Sequence, residues 1–377
     1  MTPASPPEDI VEGYNLLTTG AGVVRVNRDV VRVGGPDALR YLQGQLSQDL
    51  EPLSVGGVVY GFILEPRGYV DAVVRVGRTG DDEFVLLVDG GWGEATAERL
   101  KRFQIRTKAT IEVLCMHVAA VGGRGAEDLV GALRGEPGAH GDAARAVAEP
   151  QAVDAEPASW SGAIVSLGDR QTAIPWAWPG LAGYDLIGTA PPDEPIAALV
   201  ADLPACAPEA WEAVRIEAGM PVMGREIGPR TLPAAIGITG LAVSFTKGCY
   251  VGQELVARVD ARGGRVPERL VRIDMPVPED GVSAASGSGG ALRPVRRGTG
   301  VAGWGRGAEA GMLAEALADA PLHYGDVPCG RITSAAWSPG TGGIVCLAYL
   351  ARSVPASAEL TAGDNPGFPA VVSALGH

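Results

Sequence analysis

Cysteine is sparse in this 377-residue chain, and no two of its five cysteines form a CxxC pair. Cys115, Cys206, Cys249, Cys329 and Cys346 stand at long intervals, which speaks against a disulfide framework and against a zinc or iron–sulfur centre preformed from neighbouring ligands. Reduced thiols in a cytoplasmic protein are the expectation. Histidine occurs four times, and His140 falls in a polar stretch where a solvated ring is expected. No run of about eighteen apolar residues is present, so no membrane span is expected. The first residues lack the basic-then-apolar pattern of a secretory signal. Positive charge is short as well: 31 Lys and Arg face 44 Asp and Glu, and the net charge of −13 argues against broad attraction to nucleic-acid phosphates or anionic membranes. The one tight basic cluster, Arg293, Arg296 and Arg297, reads as solvated surface.

The length suits roughly two or three domains with substantial cores. Residues 1–20 are read as a flexible tail, rich in proline and polar groups up to about Asp9. Val23–Val26 and Val30–Val33 flank Asn27-Arg28-Asp29, which predicts a hairpin. A helix opens at Gly34-Gly35-Pro36-Asp37, with Leu39, Leu42 and Leu46 at helical spacing. Val58–Leu64 and Tyr69–Val76, separated by Glu65-Pro66-Arg67-Gly68, predict a second hairpin, followed by a strand at Glu83–Val88 and a helix at Glu94–Phe103. Further strands are expected at Thr110–Leu114, His117–Val121, Ala163–Leu167 and Tyr184–Ile187, with helices at Glu194–Leu203 and Pro208–Ala218. Residues 134–159 read as a poorly ordered insertion and 284–290 as a Ser/Gly linker. Residues 309–318 fit either a short helix or an Ala-rich loop. Hairpins interleaved with helices indicate an α+β class, and the short strands of the last hundred residues a small β-barrel.

One stretch concentrates chemistry. Lys247-Gly248-Cys249-Tyr250-Val251-Gly252-Gln253-Glu254 places a cation, a thiol, a phenol, an amide and a carboxylate among two glycines, ahead of the apolar run Leu255-Val256-Ala257. A helix starting near Gly252 would turn its free N–H groups and positive dipole end toward Cys249, and Lys247 would add a second positive influence, both favouring the thiolate. Cys249 is therefore a candidate reactive thiol; a buried cysteine behaving as a small hydrophobe is the alternative.

This stretch matches, without mismatch, the KGCYxGQE signature of YgfZ-type folate-binding proteins, and the chain resembles that branch of the glycine-cleavage T-protein (aminomethyltransferase) superfamily. Leu42-Gln43-Gly44-Gln45-Leu46-Ser47-Gln48-Asp49, Arg215-Ile216-Glu217-Ala218-Gly219-Met220-Pro221 and Gly330-Arg331-Ile332-Thr333-Ser334 support the resemblance, which spans roughly Val23 to Arg352. It implies an α+β fold of three domains, a T-protein-like cloverleaf with two mixed α+β domains around a central folate hole plus a C-terminal β-barrel. On this chain the expected division is a folate-binding region at 21–265 and the barrel at 266–377.

The resemblance also implies tetrahydrofolate, or a derivative, as cofactor. Asp185 is the candidate carboxylate for the pterin, since a carboxylate can accept two parallel N–H bonds from a 2-amino-pyrimidine edge. Arg215 and Glu217 are candidates for the folate carboxylate and the pterin, although a structural ion pair explains each equally well. Asp71 matches the aspartate that orients folate in T-proteins, one residue short of the usual spacing from Gly68. Tyr250 is a candidate to stack or donate a hydrogen bond, and Gln253 and Glu254 to orient the loop, with capping of the helix as the alternative for Glu254. The function implied is that of a cytoplasmic accessory factor for assembly or repair of iron–sulfur clusters, with effects on tRNA-modifying iron–sulfur enzymes. Cys249 and Lys247 would carry its chemistry. Iron, a persulfide, a transient iron–sulfur species and a one-carbon unit all remain open as what Cys249 holds. Expected partners are folate and iron–sulfur client or assembly proteins, with no direct nucleic-acid binding, no membrane and a monomeric state. The alternative is a tetrahydrofolate-dependent aminomethyltransferase or methyltransferase.

Overall fold

The structure, a computed structural model, describes residues 7–134, 163–168, 171–188, 200, 203–276, 282–284, 292–294, 306–355, 358–363, 368–373 and 375. The expected insertion with His140, the Ser/Gly stretch, most of the helix expected at Glu194–Leu203, and Arg296 and Arg297 lie outside the described residues.

In chain order come α1 (Pro7–Thr19), β1 (Gly22–Arg25), β2 (Arg28–Gly34), α2 (Ala38–Gln45), β3 (Val58–Leu64), β4 (Val70–Gly80) and β5 (Glu83–Asp89). Next are α3 (Gly93–Arg102), β6 (Thr110–Leu114), β7 (His117–Gly122), α4 (Ala126–Leu133), β8 (Val165–Gly168), β9 (Gln171–Trp178) and β10 (Leu181–Gly188). Then follow α5 (Pro208–Glu217), α6 (Thr239–Ala242), α7 (Gln253–Asp260), β11 (Glu268–Met275), β12 (Val282–Ala284), β13 (Leu292–Pro294) and α8 (Arg306–Leu317). The last strands are β14 (Pro321–Tyr324), β15 (Val327–Ser338), β16 (Gly343–Ala351), β17 (Glu359–Ala362) and β18 (Phe368–Ser373).

The chain forms two compact units. One comprises Leu16–Ala205 and Val222–Arg265; the other gathers Met1–Asn15, Cys206–Pro221 and Val266–His377.

The first unit is built on two five-stranded sheets, β3-β4-β5-β2-β6 and β1-β7-β10-β9-β8. Strand alternation sorts their side chains into layers. Val31, Val33, Val74, Val76, Leu86 and Val88 face α2 and α3, while Val23, Ala119, Val121, Tyr184 and Leu186 face α4. The residues one step out of phase, Val30, Val85, Leu87, Val118, Ile174 and Ile187, meet between the sheets.

The hairpin expected around Asn27 does not form. β1 pairs with β7 in one sheet, and β2 pairs with β5 and β6 in the other. Asn27 is instead where the chain crosses over, its carbonyl accepting a hydrogen bond from Gly90 N at 3.0 Å. Valine-rich runs favour a strand but do not fix which sheet completes it.

The sequence reading also passed over β9. Pro175, which ordinarily demotes a strand, is tolerated because β8 pairs β9 only over Gln171–Ala173, leaving no ladder partner at Pro175 on that side.

In the second unit, β11-β16-β15-β14-β17-β18 form a closed barrel, as expected for the C-terminal region. Its core takes Leu313, Ala314 and Leu317 from α8, so 306–317 is a helix that buries one face. Residues 7–19 are a helix, which corrects the reading of 1–20 as a flexible tail. Pro7 stands at its start, Glu8 and Asp9 complement the dipole of its first turn, and Ile10 and Leu17 are buried. Gly13 lies so close to α5 that a Cβ there would stand 3.1 Å from Cys206 Cβ and 3.2 Å from Ala210 Cβ. Polar composition at a chain start suggested mobility; a small residue at a helix crossing allowed docking.

Candidate functional site: the Cys249 loop and a buried charge cluster

The loop carrying Cys249 is fastened at both ends to the first unit. Lys247 is buried, and its Nζ donates to the carbonyls of Gln43 at 2.7 Å, Leu46 at 2.8 Å and Gln48 at 2.7 Å. These carbonyls surround the C-terminal end of α2, where free acceptors and the negative dipole end favour a cation. Three donors thus meet three acceptors, leaving Lys247 no N–H for the Cys249 sulfur. Burial lowers the Lys247 pKa to about 8, against the opposing pull of Asp49 and Glu51.

The neighbouring motif supplies the rest of the fastening. Ser47 Oγ donates to Ala242 O at 2.6 Å and accepts from Phe62 N at 2.8 Å, Ser244 N donates to Ser47 O at 3.0 Å, and Val251 N donates to Gly44 O at 3.1 Å. Gln43 ties its own turn by donating to Asp49 Oδ1 and accepting from Leu50 N. The 42–49 stretch is therefore the seat of the 247–252 loop.

At the far end, Gly252 adopts φ +82° before α7. A Cβ there would stand 2.6 Å from Glu65 O and 2.9 Å from Leu64 Cβ, and one on Gly68 (φ +87°) would stand 2.5 Å from Leu255 Cβ. The glycines of the loop and of the β3–β4 turn are required by one another. Between these anchors Gly248 and Cys249 are exposed, and no atom lies within 4 Å of where a Gly248 Cβ would be. Tyr250 is buried under the loop, 5.3 Å from its ring centroid to Lys247 Nζ, and burial raises its pKa to about 12. Gln253 is half-buried, and Glu254 is exposed in the first turn of α7; neither makes a side-chain cap at Gly252.

Asp71 is engaged by Arg99, whose Nε donates to it at 2.9 Å; the same guanidinium reaches Leu64 O at 2.6 Å and stacks 4.0 Å over Phe103. Arg215 and Glu217 belong to the barrel unit. Arg215 forms a two-pronged pair with Glu212, at 2.8 and 2.6 Å, and also donates to Met220 O. Glu217 accepts from Tyr14 at 2.8 Å and from Ser338 Oγ, and burial together with the Glu217 charge raises the Tyr14 pKa.

Asp185 is fully buried between the two sheets of the first unit. It shares the inward phase of Ile187 on β10 and faces Arg28 of β2 and Arg75 of β4. Its Oδ2 accepts from Arg75 and lies 2.9 Å from Arg28 Nε, while Arg28 also pairs with Asp89 at 3.1 Å. Burial pulls the Arg28 pKa down, yet Asp185, Asp89 and Tyr60 together raise it. Asp185 Oδ1, Arg75 Nε, Arg28 Nε and Tyr60 Oη are buried and lack a hydrogen-bond partner; the Arg28 Nε contact with Oδ2 is close but poorly aligned. Sequence reasoning missed Arg28, Tyr60 and Arg75. The available signal was phase: Arg75 alternates with Val74 and Val76, so it lies on the face of β4 opposite the one that packs on α2 and α3.

Leu232, Pro233, Phe245, Leu255, Val256 and Val259 line an apolar cavity of about 330 Å³ beside the loop, with Phe245 half exposed at its wall. Among the described residues, no group of three or more His, Cys, Asp or Glu is placed to hold a metal ion, and no helix is long and apolar enough to cross a membrane.

No family model matches the chain. It is similar to the tRNA-modifying protein YgfZ of Edwardsiella ictaluri, 31% identical over 235 residues, covering 62% of this chain and 65% of that protein. It is similar also to the aminomethyltransferase of Corynebacterium jeikeium, 27% identical over 348 residues, covering 88% of this chain and 79% of that protein. The chain spans just under two thirds of the length of the first curated relatives it matches. Among solved structures, aminomethyltransferase T of the glycine cleavage system from Bartonella henselae superposes with a TM-score of 0.74 at 16% identity, covering 100% of this chain and 91% of that one. That likeness is one of fold.

Proposed function

The chain belongs to the glycine-cleavage T-protein (aminomethyltransferase) superfamily as a YgfZ-like member, and on that premise we propose that it is a folate-binding accessory protein for iron–sulfur cluster assembly or repair. The observation that carries the proposal is the Cys249 loop: two ends are locked by buried bonds and glycine contacts, and the thiol is left exposed between them. A packing cysteine has no use for that construction. It suits a sulfur that must meet another molecule in a fixed place, as a transient holder of iron, a persulfide or an iron–sulfur species belonging to a client. Because no three ligand-type side chains stand together among the described residues, a metal species at Cys249 would draw its remaining ligands from the client. Effects on tRNA-modifying enzymes would then follow from the clusters those enzymes carry.

Tetrahydrofolate fits the donor set of the buried cluster. Asp185 Oδ1 needs a donor and is kept from water, which suits an N–H of the pterin. Oδ2 already serves Arg75, so the two parallel bonds expected of a free carboxylate reduce to one free oxygen. When bound, folate would supply a one-carbon carrier; the protein's part is to hold its pterin head.

The alternative, a folate-dependent aminomethyltransferase or methyltransferase, requires an available carboxylate at Asp71, and the hold of Arg99 on that group favours the accessory role. Two variants test the proposal in a cell lacking this protein. Cys249→Ala is expected to fail, and Asp71→Asn to succeed, in restoring the activity of iron–sulfur enzymes. Full restoration by Cys249→Ala would sink the proposed mechanism, and loss with Asp71→Asn in a stably folded protein would favour the transferase.

A further inference from the structure

An apolar cavity and two exposed apolar side chains adjoin the Cys249 loop. Phe245 and Leu255, which flank that loop in sequence, both line the cavity of about 330 Å³, together with Leu232, Val256 and Val259. Cys249 is four residues from Phe245, no more than about 14 Å along a fully extended chain. Phe245 is 50% exposed and Leu241, next to the cavity-lining Gly240, is 40% exposed, so hydrocarbon continues from the cavity wall onto the surface. Single apolar side chains on a surface are ordinary, whereas apolar surface continuous with a cavity marks a place where another molecule sits.

Charge indicates what that molecule is. Residues 230–265 carry five cationic side chains, Arg230, Lys247, Arg258, Arg262 and Arg265, against the two carboxylates Glu254 and Asp260, a balance of +3; the rest of the chain carries 26 against 42, a balance of −16. Lys247 is engaged by α2, but the four arginines are exposed, and none of them is in an ion pair among the described residues. Each lies within two residues of one that lines the cavity. Arginines gathered around an apolar cavity on an acidic chain are complementary to a partner with carboxylates around an apolar side chain. Phosphates of a nucleic acid would also meet the arginines. The hydrocarbon wall, however, would strip water from the polar edge of a base, with Asp260 as the single charged acceptor to replace it. We infer that the cavity is the docking seat for a client polypeptide segment that carries a large apolar side chain flanked by carboxylates, and that docking there brings the client's own ligands to Cys249. The inference rests on the accessory-factor reading above and deepens it by giving the partner's chemistry.

Random phage-displayed peptides are selected against the full-length protein. The most enriched peptide, synthesised with a fluorophore, is the probe in anisotropy titrations, and a uridine oligonucleotide of similar length is the nucleic-acid probe. The enriched peptides are expected to carry one large apolar side chain flanked by Asp or Glu. Gly240 lines the cavity and has no atom within 4 Å of where its Cβ would be, so Gly240→Leu narrows the cavity without a backbone clash and should weaken the probe by about tenfold or more. Arg258→Glu combined with Arg262→Glu reverses two exposed charges and should weaken it by about three- to tenfold while flattening its salt dependence. Should Gly240→Leu give no cooperative thermal transition, Phe245→Ala and the arginine pair decide. Cys249→Ala is expected to bind the probe as the wild type does, so seat and thiol are read apart: restoration of iron–sulfur enzymes by Cys249→Ala would remove the accessory reading and leave the binding result in place. Enrichment of no peptide, enrichment of basic ones, or equal binding of the probe by Gly240→Leu and the arginine pair overturns the inference. Tighter binding of the oligonucleotide, lost on the arginine change, overturns it as well and gives the face to RNA.

Discussion

Replacing Lys247 by methionine keeps the apolar stem and removes only the ammonium. In the native protein that ammonium makes three short bonds to Gln43, Leu46 and Gln48 carbonyls. Burial lowers the Lys247 pKa to about 8, so the charge itself adds no net stability, and what methionine removes is the pairing of the carbonyls. The Leu46 carbonyl is left buried without its donor, and a loss of about 1–3 kcal/mol is expected. The variant should unfold at lower urea concentration by that amount, and amide exchange should rise at 244–251 before it rises elsewhere in the first unit. The sign of the pH dependence follows from the same pKa. Between about pH 8 and 10.4 the unfolded chain holds more protons on this lysine than the folded one, so the wild type gains stability relative to Lys247→Met as pH rises through that window. Unchanged unfolding midpoints with unchanged exchange at 244–251 would refute the view of Lys247 as the fastener of the loop.

Gly252→Ala forces a Cβ toward Glu65 O at 2.6 Å in a left-handed conformation, and a loss of about 1–3 kcal/mol in thermal or urea unfolding is expected; a neutral result would mean that the 64–68 turn yields freely. Asp185→Asn leaves Arg75 with no charge partner in the interior and should destabilise by about 3–5 kcal/mol, while adding Arg75→Met recovers part of the loss. Strict additivity of the two changes in a double-mutant cycle would show the pair to be uncoupled.

Much of the fold was legible locally. The β3–β4 hairpin, β5, α3, the start of α5 and the barrel strands β15 and β16 follow from two-residue and helical periodicities bounded by Gly and Pro, because those patterns express how a segment buries one face. The α1 helix was hidden by a Pro-rich beginning, and the crossing at Asn27 by valine-rich runs that satisfy a strand in either sheet. The Cys249 loop was found by composition, but the work of its residues was not. Lys247 looked like an activator of the thiol and is a clamp on α2; Gly252 looked like a helix start alone and also makes room for the β3–β4 turn.

By itself, the sequence determined most of the helices and strands, that the chain is α+β with a β-barrel at its end, and which eight residues carry its resemblance to a family branch. Those properties depend on side-chain order over a few turns of chain. Only the tertiary structure decided which partners the polar groups have. Asp71 meets Arg99, Arg215 meets Glu212, and Glu217 meets Tyr14 and Ser338, while Asp185 keeps one oxygen unpaired beside Arg28, Tyr60 and Arg75. A carboxylate has the same letter whether it is spent or free. The difference lies in neighbours brought together from far along the chain, 203 positions for Tyr14 and Glu217, and for Arg28 and Asp185 by the packing of one sheet on another.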